Sequence, residues 1–385
     1  MIIGIDASNL RAKGGLTHLK GLLNAADPPE SGIDEVIVWA SEGTLEHLPD
    51  RAWLTPAHEP ALDGHLARRL AWQRYTLQRL ADQHCDLLFV PGGNYTGSFR
   101  PYVTMSRNLL PFSPEERARY GLTWNRLRFI LLERSQSRTF RRADGMIFLT
   151  RSARECVEER TGPLSGDVEI IPHGVSSSFD CEPRPQKPLS EYSRERPFRW
   201  LYVSSIDPYK HQWNVVRAAG RLRRAGMPIR LDLIGPPRPP AKLTMDRLDE
   251  ALDDVDPDGA FIEHHGFVPH DELAERYHES DAFVFASSCE NMPNTLLEAM
   301  GAGLPIASSD FPPMPEVLGE SNGVFFDPTD SASIANAMST LARKPKLRET
   351  SARGAYKRAG EFTWQRCAKN TFGFPASTAL ALERS

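Results

Sequence analysis

Two α/β domains, each a parallel sheet wound with helices on both faces, are the fold class that this sequence predicts. Three observations carry the prediction. Short β-branched and apolar runs alternate with amphipathic stretches of helical period, the pattern of successive β–α–β units. The alternation forms two series, separated by CEPRPQKPLSEYSRERP at residues 181–197, where proline and charge replace apolar periodicity. The chain has 385 residues, too many for one ordinary core and suited to two domains.

The first series places buried strands at Met1–Ile5, Val36–Ala40, Leu87–Val90, Tyr102–Met105, Met146–Leu149 and Val168–Ile171. Most are short and apolar on both faces, as a strand covered by helices must be. Helical stretches lie between them, notably Leu66–Leu80 and Glu116–Phe140. The second series runs through Trp200–Ser204, Leu231–Ile234, Ala260–Glu263, Ala282–Ala286, Ile306–Ser308 and Val324–Phe326. These readings set the domains at residues 1–180 and 198–360, with 181–197 as linker and 361–385 as a C-terminal segment. The stretch 236–259, punctuated by Pro and Gly, reads as a solvated surface excursion with a short helix in its middle.

Composition narrows the function. Apolar residues make up 40% and charged residues 25%, ordinary for a soluble globular chain, and the net charge of −4 argues against a wholesale nucleic-acid coat. No uncharged run is long enough to span a bilayer, and the N-terminus lacks the basic start and cleavage site of a signal peptide. The five cysteines are scattered and form no CxxC pair, which suits a reducing cytosol rather than a disulfide framework or zinc ribbon. None of the 11 histidines falls in HExxH, and His264-His265 has no clustered third ligand, so no metal site is expected.

The most informative segment is SSCENMPNTLLEAMGAGLPIASSD, residues 287–310, just after the strand at 282–286. Asn294 or Thr295 can cap a helix running through Leu296, Leu297 and Met300. Such a helix start offers free N–H groups and the positive end of the dipole to a phosphate. Glu290 precedes the helix and Glu298 lies one turn inside it. Bare spacing leaves open whether they grip two ends of one ligand or are solvated acids around a capped helix.

The run from Glu290 to Glu298, followed by AMGAGLPI, resembles the E-x7-E signature of GT4-type retaining glycosyltransferases (glycosyltransferase group 1). Other segments match in order: GGLTHLKGLL (14–23), IPHGV (171–175), LYVSSIDPYKHQWNVVRAA (201–219), LDLIGP, HHGFVPHDELAERYHESDAFVFAS and NGVFFDPTD. The resemblance covers most of the chain and is strongest from about 200 to 330. It implies the GT-B fold, two facing Rossmann-like doubly wound domains with the donor mainly on the second, and a C-terminal segment that crosses back to the first, anchored by Phe362 and Trp364. It also implies transfer of a hexose-type sugar from a UDP- or GDP-sugar to a hydroxyl of a glycan or lipid-linked acceptor. Retention of configuration and a place in cell-surface polysaccharide synthesis follow from the same resemblance.

Residue by residue, the resemblance has Glu298 accept from the ribose hydroxyls, where one carboxylate can take a cis-diol. Glu290 faces the donor sugar, near the charge that develops at the anomeric carbon. Lys210 reaches the diphosphate and stabilises the leaving group. Asn294 and Thr295 contact the donor or simply cap the helix. Gly14 and Gly15 close over diphosphate and acceptor through positive φ, or make a plain strand-to-helix turn. Phe267 and Val268 line the base pocket or pack in the core. Two departures stand out. Many members carry a Gly-Arg pair where this chain has Ser204-Ser205, so that Ser205 offers a hydroxyl but no charge. Many carry a histidine where this chain has Ser106-Arg107-Asn108; Arg107 and Asn108 either donate to sugar or acceptor or hold the turn. His173 reads as structural. With Lys210 and helix N–H groups present, neither a metal nor a further cofactor is implied.

Residues 115–142 carry eight arginines and few acids. This basic, partly apolar helical stretch either packs one face into its domain with the arginines in water, or touches an anionic inner-membrane surface from the cytoplasmic side. The alternatives to a transferase are a nucleotide-sugar epimerase on the same fold, for which no elimination set aligns, and a non-catalytic sugar-nucleotide-binding module. A dinucleotide oxidoreductase would need GxGxxG after a strand, which neither Gly14-Gly15 nor the glycines at 301–303 provide.

Overall fold

The structure is a computed structural model in which residues 1–11, 14–238 and 242–383 are described, with side chains as far as residue 379. The chain divides into two compact units. One comprises residues 1–114, 122–174 and the C-terminal segment from Phe362; the other comprises residues 115–121 and 175–361.

The first unit is built on a seven-stranded sheet: β1 (Ile2–Asp6), β2 (Glu35–Ala40), β3 (Leu54–His58), β4 (Leu87–Val90), β5 (Tyr102–Met105), β6 (Gly145–Phe148) and β7 (Asp167–Ile170). The spatial order is β3-β2-β1-β4-β5-β6-β7, and every pair is parallel. Strands β4, β5 and β6 are buried along their whole length, which is why they read as unbroken apolar runs. The chain turns left from β1 to β2 and right from β4 to β5, so the topological switch point lies between β1 and β4.

Strand β3 is an addition to the sequence reading. It holds Pro56 and buries mainly Leu54, a pattern tolerated only at a sheet edge, where one face of the backbone needs no ladder hydrogen bond. The helical stretch from Leu66 runs on to His84 but contains a π-turn at Trp72–Thr76. That turn buries Gln73, which donates to the Asp6 carboxylate and, at 2.9 Å, to the Asn94 carbonyl. Burial raises the Asp6 carboxyl above its ordinary value. The helix expected over 116–140 is broken into Pro114–Ala118 and Trp124–Arg142, with Gly121 between them at φ +61°.

The C-terminal helix Trp364–Glu383 belongs to this first unit and packs on the helix Gly14–Ala25. Gly21 permits the contact, because a Cβ there would stand 2.5 Å from the Trp364 ring. His173 stacks on that ring at 5.9 Å between centroids, and His18 meets it edge-on at 5.5 Å. Phe362, at the entry to the segment, is also buried. Burial, with repulsion from Arg107 and His173, holds His18 neutral, far below the usual imidazole range. Gly174 is the tightest point of the packing: a Cβ there would lie 2.2 Å from the Trp364 backbone nitrogen, which cannot move aside. Gly174→Ala is therefore expected to destabilise the first unit by about 3 kcal/mol in denaturant unfolding, the upper range for overpacking.

The second unit is built on a six-stranded parallel sheet: β8 (Phe198–Val203), β9 (Ile229–Ile234), β10 (Ile262–His264), β11 (Ala282–Phe285), β12 (Ile306–Ser309) and β13 (Val324–Phe326). Its order is β10-β9-β8-β11-β12-β13, so β8 and β11 flank the switch point. The proline-rich segment 181–197 is part of this unit rather than a free tether. Arg348, fully buried under it, donates to Gln186 Oε1 at 2.9 Å and to the Lys187 carbonyl. Within the excursion 236–259 lies a 14-residue helix, Lys242–Val255, longer than expected; residues 239–241 of that excursion lie outside the described residues.

Candidate active site

The site of the second unit is built where the chain leaves β8 and β11. After β8 come Ser204 and Ser205, a short 3-10 turn at Pro208–Lys210, and His211 in the left-handed region at φ 50°, ψ 31°. After β11 come Ser287 to Pro293 and then the eight-residue helix Asn294–Gly301. The two loops are stitched together. Ser288 N donates to the Tyr209 carbonyl at 2.9 Å, and His211 Nε2 lies 2.9 Å from Ser288 Oγ.

This stitching brings Lys210 and Glu290 into contact although they are 80 positions apart. Their side chains form an ion pair with only 10% and 14% of their surface exposed. The ammonium also lies over the rings of Tyr209 and Phe285, at 5.0 and 5.3 Å. Beside the pair sits Asp207, almost wholly buried. It accepts from Ser205 Oγ at 3.3 Å, from Tyr120 Oη at 3.3 Å and from Arg238 Nε at 3.1 Å. Burial raises the Asp207 carboxyl despite the nearby cations Arg238 and Lys210.

Arg238 reaches this cluster because of how β9 ends. Gly235 has φ +139°, and a Cβ there would stand 2.0 Å from the Ser204 carbonyl oxygen, so only glycine lets the exit of β9 cross the exit of β8. Ile206 then bridges Pro237, and the next residue is Arg238. Sequence reasoning missed this arginine, since it sits among prolines in what reads as a solvated loop.

Glu298 lies in the helix that follows β11. Its Oε2 accepts from the fully buried Tyr277 Oη at 3.0 Å, and its Oε1 lies 3.3 Å from Nε2 of the exposed His270. The carboxylate is thus fixed on one side by tyrosine and met on the other by a side chain that water reaches. Neither Tyr277 nor His270 was legible as a site residue. Both come from the helix His270–Glu279, and only tertiary packing sets them against Glu298.

The cap of the helix Asn294–Gly301 differs from expectation. Pro293 occupies the cap position and makes no side-chain hydrogen bond; Asn294 and Thr295 are the first helical residues, so neither is the cap. Proline's fixed φ is suited to a helix entry, and without a side-chain cap the first-turn N–H groups remain available to a ligand. Phe267 is 72% exposed and Val268 half-buried at the end of β10, which removes the core-packing alternative for Phe267.

In the first unit, Gly14 and Gly15 open the helix Gly14–Ala25, and Gly15 lacks the positive φ expected of it. Their carbonyls accept from Arg107, at 2.6 Å for Gly14 and 3.4 Å for Gly15. Burial pulls the Arg107 guanidinium down to about 10. Asn108 Oδ1 accepts from the Leu110 backbone at 3.1 Å, a local turn bond. Arg107 and Asn108 thus hold the loops after β1 and β5.

Among the described residues, one cluster has the ligand types for a metal: Asp232, Glu263 and His265. Arg230 is already paired with both of its acids, so the cluster reads as an ion-pair network on β9 and β10.

Residues 185–358 match the model of the family described as glycosyl transferases group 1. The second unit belongs to that family. Among curated proteins, the chain is 30% identical over 111 residues to the O-antigen chain mannosyltransferase B of Escherichia coli, covering 29% of each. It is 27% identical over 248 residues to the glycogen synthase of Mycobacterium tuberculosis, covering 63% of this chain and 56% of that protein. The chain thus spans well under two thirds of the curated relatives it matches. Solved structures are similar over the full length. HepE of Anabaena in complex with UDP has a TM-score of 0.70 at 18% identity, with 100% of both chains covered. Sucrose-phosphate synthase of Thermosynechococcus elongatus has a TM-score of 0.72 at 16% identity, covering 100% and 98%. The fold is GT-B, with one Rossmann-like sheet in each unit.

In the group 1 domain, His211 offers a direct probe of the stitched loops. Burial lowers its pKa from 6.5 to about 3, so the folded chain keeps it neutral while the unfolded chain protonates it below about 6.5. The unfolded state then binds more protons, so stability is lost as the pH is lowered. Relative to His211→Asn, wild type is expected to lose up to about 1.4 kcal/mol per pH unit below pH ~6.5. Paired denaturation curves at several pH values measure the difference, and parallel curves would show that His211 is not held neutral.

Proposed function

We propose that this protein transfers a hexose-type sugar from a nucleoside-diphosphate donor to a hydroxyl of a glycan or lipid-linked glycan. The reaction retains the anomeric configuration, takes place on the cytoplasmic side and serves cell-surface polysaccharide synthesis. The observation that carries the reading is the Lys210–Glu290 pair at the β8/β11 switch point, beside a helix start without a side-chain cap, in a group 1 domain. Support for the donor comes from HepE, which was solved with UDP. Support for a glycan acceptor comes from the O-antigen mannosyltransferase and glycogen synthase relatives.

In this reading Glu298, oriented by Tyr277, takes the ribose hydroxyls. The diphosphate draws Lys210 away from Glu290 and gains Arg238 as a second cation, which fills the charge absent at Ser205. Main-chain N–H groups at 294–296 complete the cradle. The bond between the anomeric carbon and the phosphate oxygen breaks, its electron pair leaving with the nucleoside diphosphate. The acceptor hydroxyl adds on the same face, and its proton passes to the departing phosphate oxygen. Glu290, released from Lys210, stabilises the positive charge on the sugar ring.

Charge neutralisation by Lys210, Arg238 and N–H dipoles requires no divalent ion. With radiolabelled UDP- and GDP-sugars and glycan acceptors, transfer is expected to survive EDTA. Absence of transfer from every donor would defeat the reading. Transfer lost with EDTA and restored by Mg²⁺ would replace this charge scheme with a metal-dependent one.

A further inference from the structure

The first unit turns an apolar, arginine-rich surface to solvent, and we infer that this surface docks on an anionic lipid bilayer. The inference needs neither sugar nor nucleotide and stands apart from the transfer reading.

It starts from the helix Trp124–Arg142. A helix packed on a sheet should show polar side chains to water. Here Trp124 is 70% exposed, Leu127 46% and Leu131 49%, a row at i, i+3 and i+7 on the solvent face. Leu122, just before the helix, is 99% exposed. The rest of that face carries Arg128, Arg134 and Arg138, all exposed, and among the described residues none of these three forms an ion pair. The helix's one acid, Glu133, points away from this face, to Arg160 at 2.8 Å.

A second helix repeats the pattern. In the stretch 66–84, Leu66 is 57% exposed, Leu70 37% and Tyr75 75%, with Arg68 and Arg74 exposed among them. The stretch 66–84 connects β3 to β4, and Trp124–Arg142 connects β5 to β6; both connections run the same way across the sheet. Right-handed crossover therefore puts both on one face of the sheet. One face of the unit thus combines exposed large apolar tips with positive charge on two helices.

Charge decides the occupant. A second copy would bring arginine against arginine. An anionic bilayer supplies negative potential at its surface and hydrocarbon just beneath, which suits arginines flanking Trp and Leu. The protein would lie on the membrane, since no helix of the described residues is long and apolar enough to cross one.

Vesicle flotation tests this with the full chain. Wild type is expected to float with phosphatidylglycerol-rich vesicles, to stay behind with pure phosphatidylcholine, and to be released by salt. Replacing Arg134 and Arg138 with Ala should weaken binding about fivefold per arginine. Leu127→Ser with Leu131→Ser should weaken it at unchanged charge, and melting curves would show that these exposed changes leave the fold intact. Equal binding to both lipids, or variants that float like wild type, would overturn the inference. So would a wild-type dimer that the two serine substitutions dissociate, because the surface would then be an interface between copies.

Discussion

Lys210→Ala is expected to lower sugar transfer by about 10²–10³-fold, the usual loss when one charge stabiliser is removed from a transition state. Two effects add. The diphosphate loses a cation aimed at it from a nearly buried position, and Glu290 is left without its partner in a low-dielectric site. The ion pair also makes an unusual prediction for Glu290. In the free protein Lys210 is held by Glu290, so the diphosphate must compete for it. Glu290→Gln should therefore bind free nucleoside diphosphate tighter, by about three- to tenfold on a scale near 1 kcal/mol. Transfer by the same variant should fall steeply, since the carboxylate acts on a charge present only in the transition state. Calorimetry with free nucleotide, paired with single-turnover transfer, reads both. If Glu290→Gln weakens nucleotide binding, the competition is not there.

Glu298→Ala has a different expected signature. The ribose is common to donor and released nucleotide, so both should bind more weakly by similar factors. A lost charged hydrogen bond is worth roughly 1.5–3 kcal/mol, or about ten- to over a hundredfold. Tyr277→Phe should show a weaker version of the same effect, because it leaves the carboxylate in place but removes the bond that orients it. Equal loss of donor and nucleotide binding identifies a ribose contact. Loss confined to the intact donor would place Glu298 on the sugar instead.

The strands were legible wherever they are buried on both faces. Leu87–Val90 and Tyr102–Met105 occupy the residues expected, since a continuous apolar run has few other uses in a chain of this composition. Edge strand β3 was not legible, because its solvent face is polar and it contains a proline. The residues of the E-x7-E segment and Lys210 could be chosen from order along the chain. Their partners could not. Arg238 depends on a glycine crossing at Gly235, and Asp207 joins residues from two other loops. Gly14 and Gly15 could be placed at a strand-to-helix turn from their position, but not the hold that Arg107 takes on their carbonyls. Excursion 115–121 was assigned to the first domain by position, yet it sits in the second unit, where Tyr120 meets Asp207.

The central claim is that the loops after β8 and β11 hold a nucleoside diphosphate through Lys210. Calorimetric titration of wild type and Lys210→Ala with UDP and GDP tests it most directly. The account predicts saturable binding of one of them to wild type at one site, in the presence of EDTA, and binding at least tenfold weaker to the variant, a difference of about 1.4 kcal/mol or more. Undiminished binding to Lys210→Ala, or no binding of either nucleotide to wild type, would contradict it.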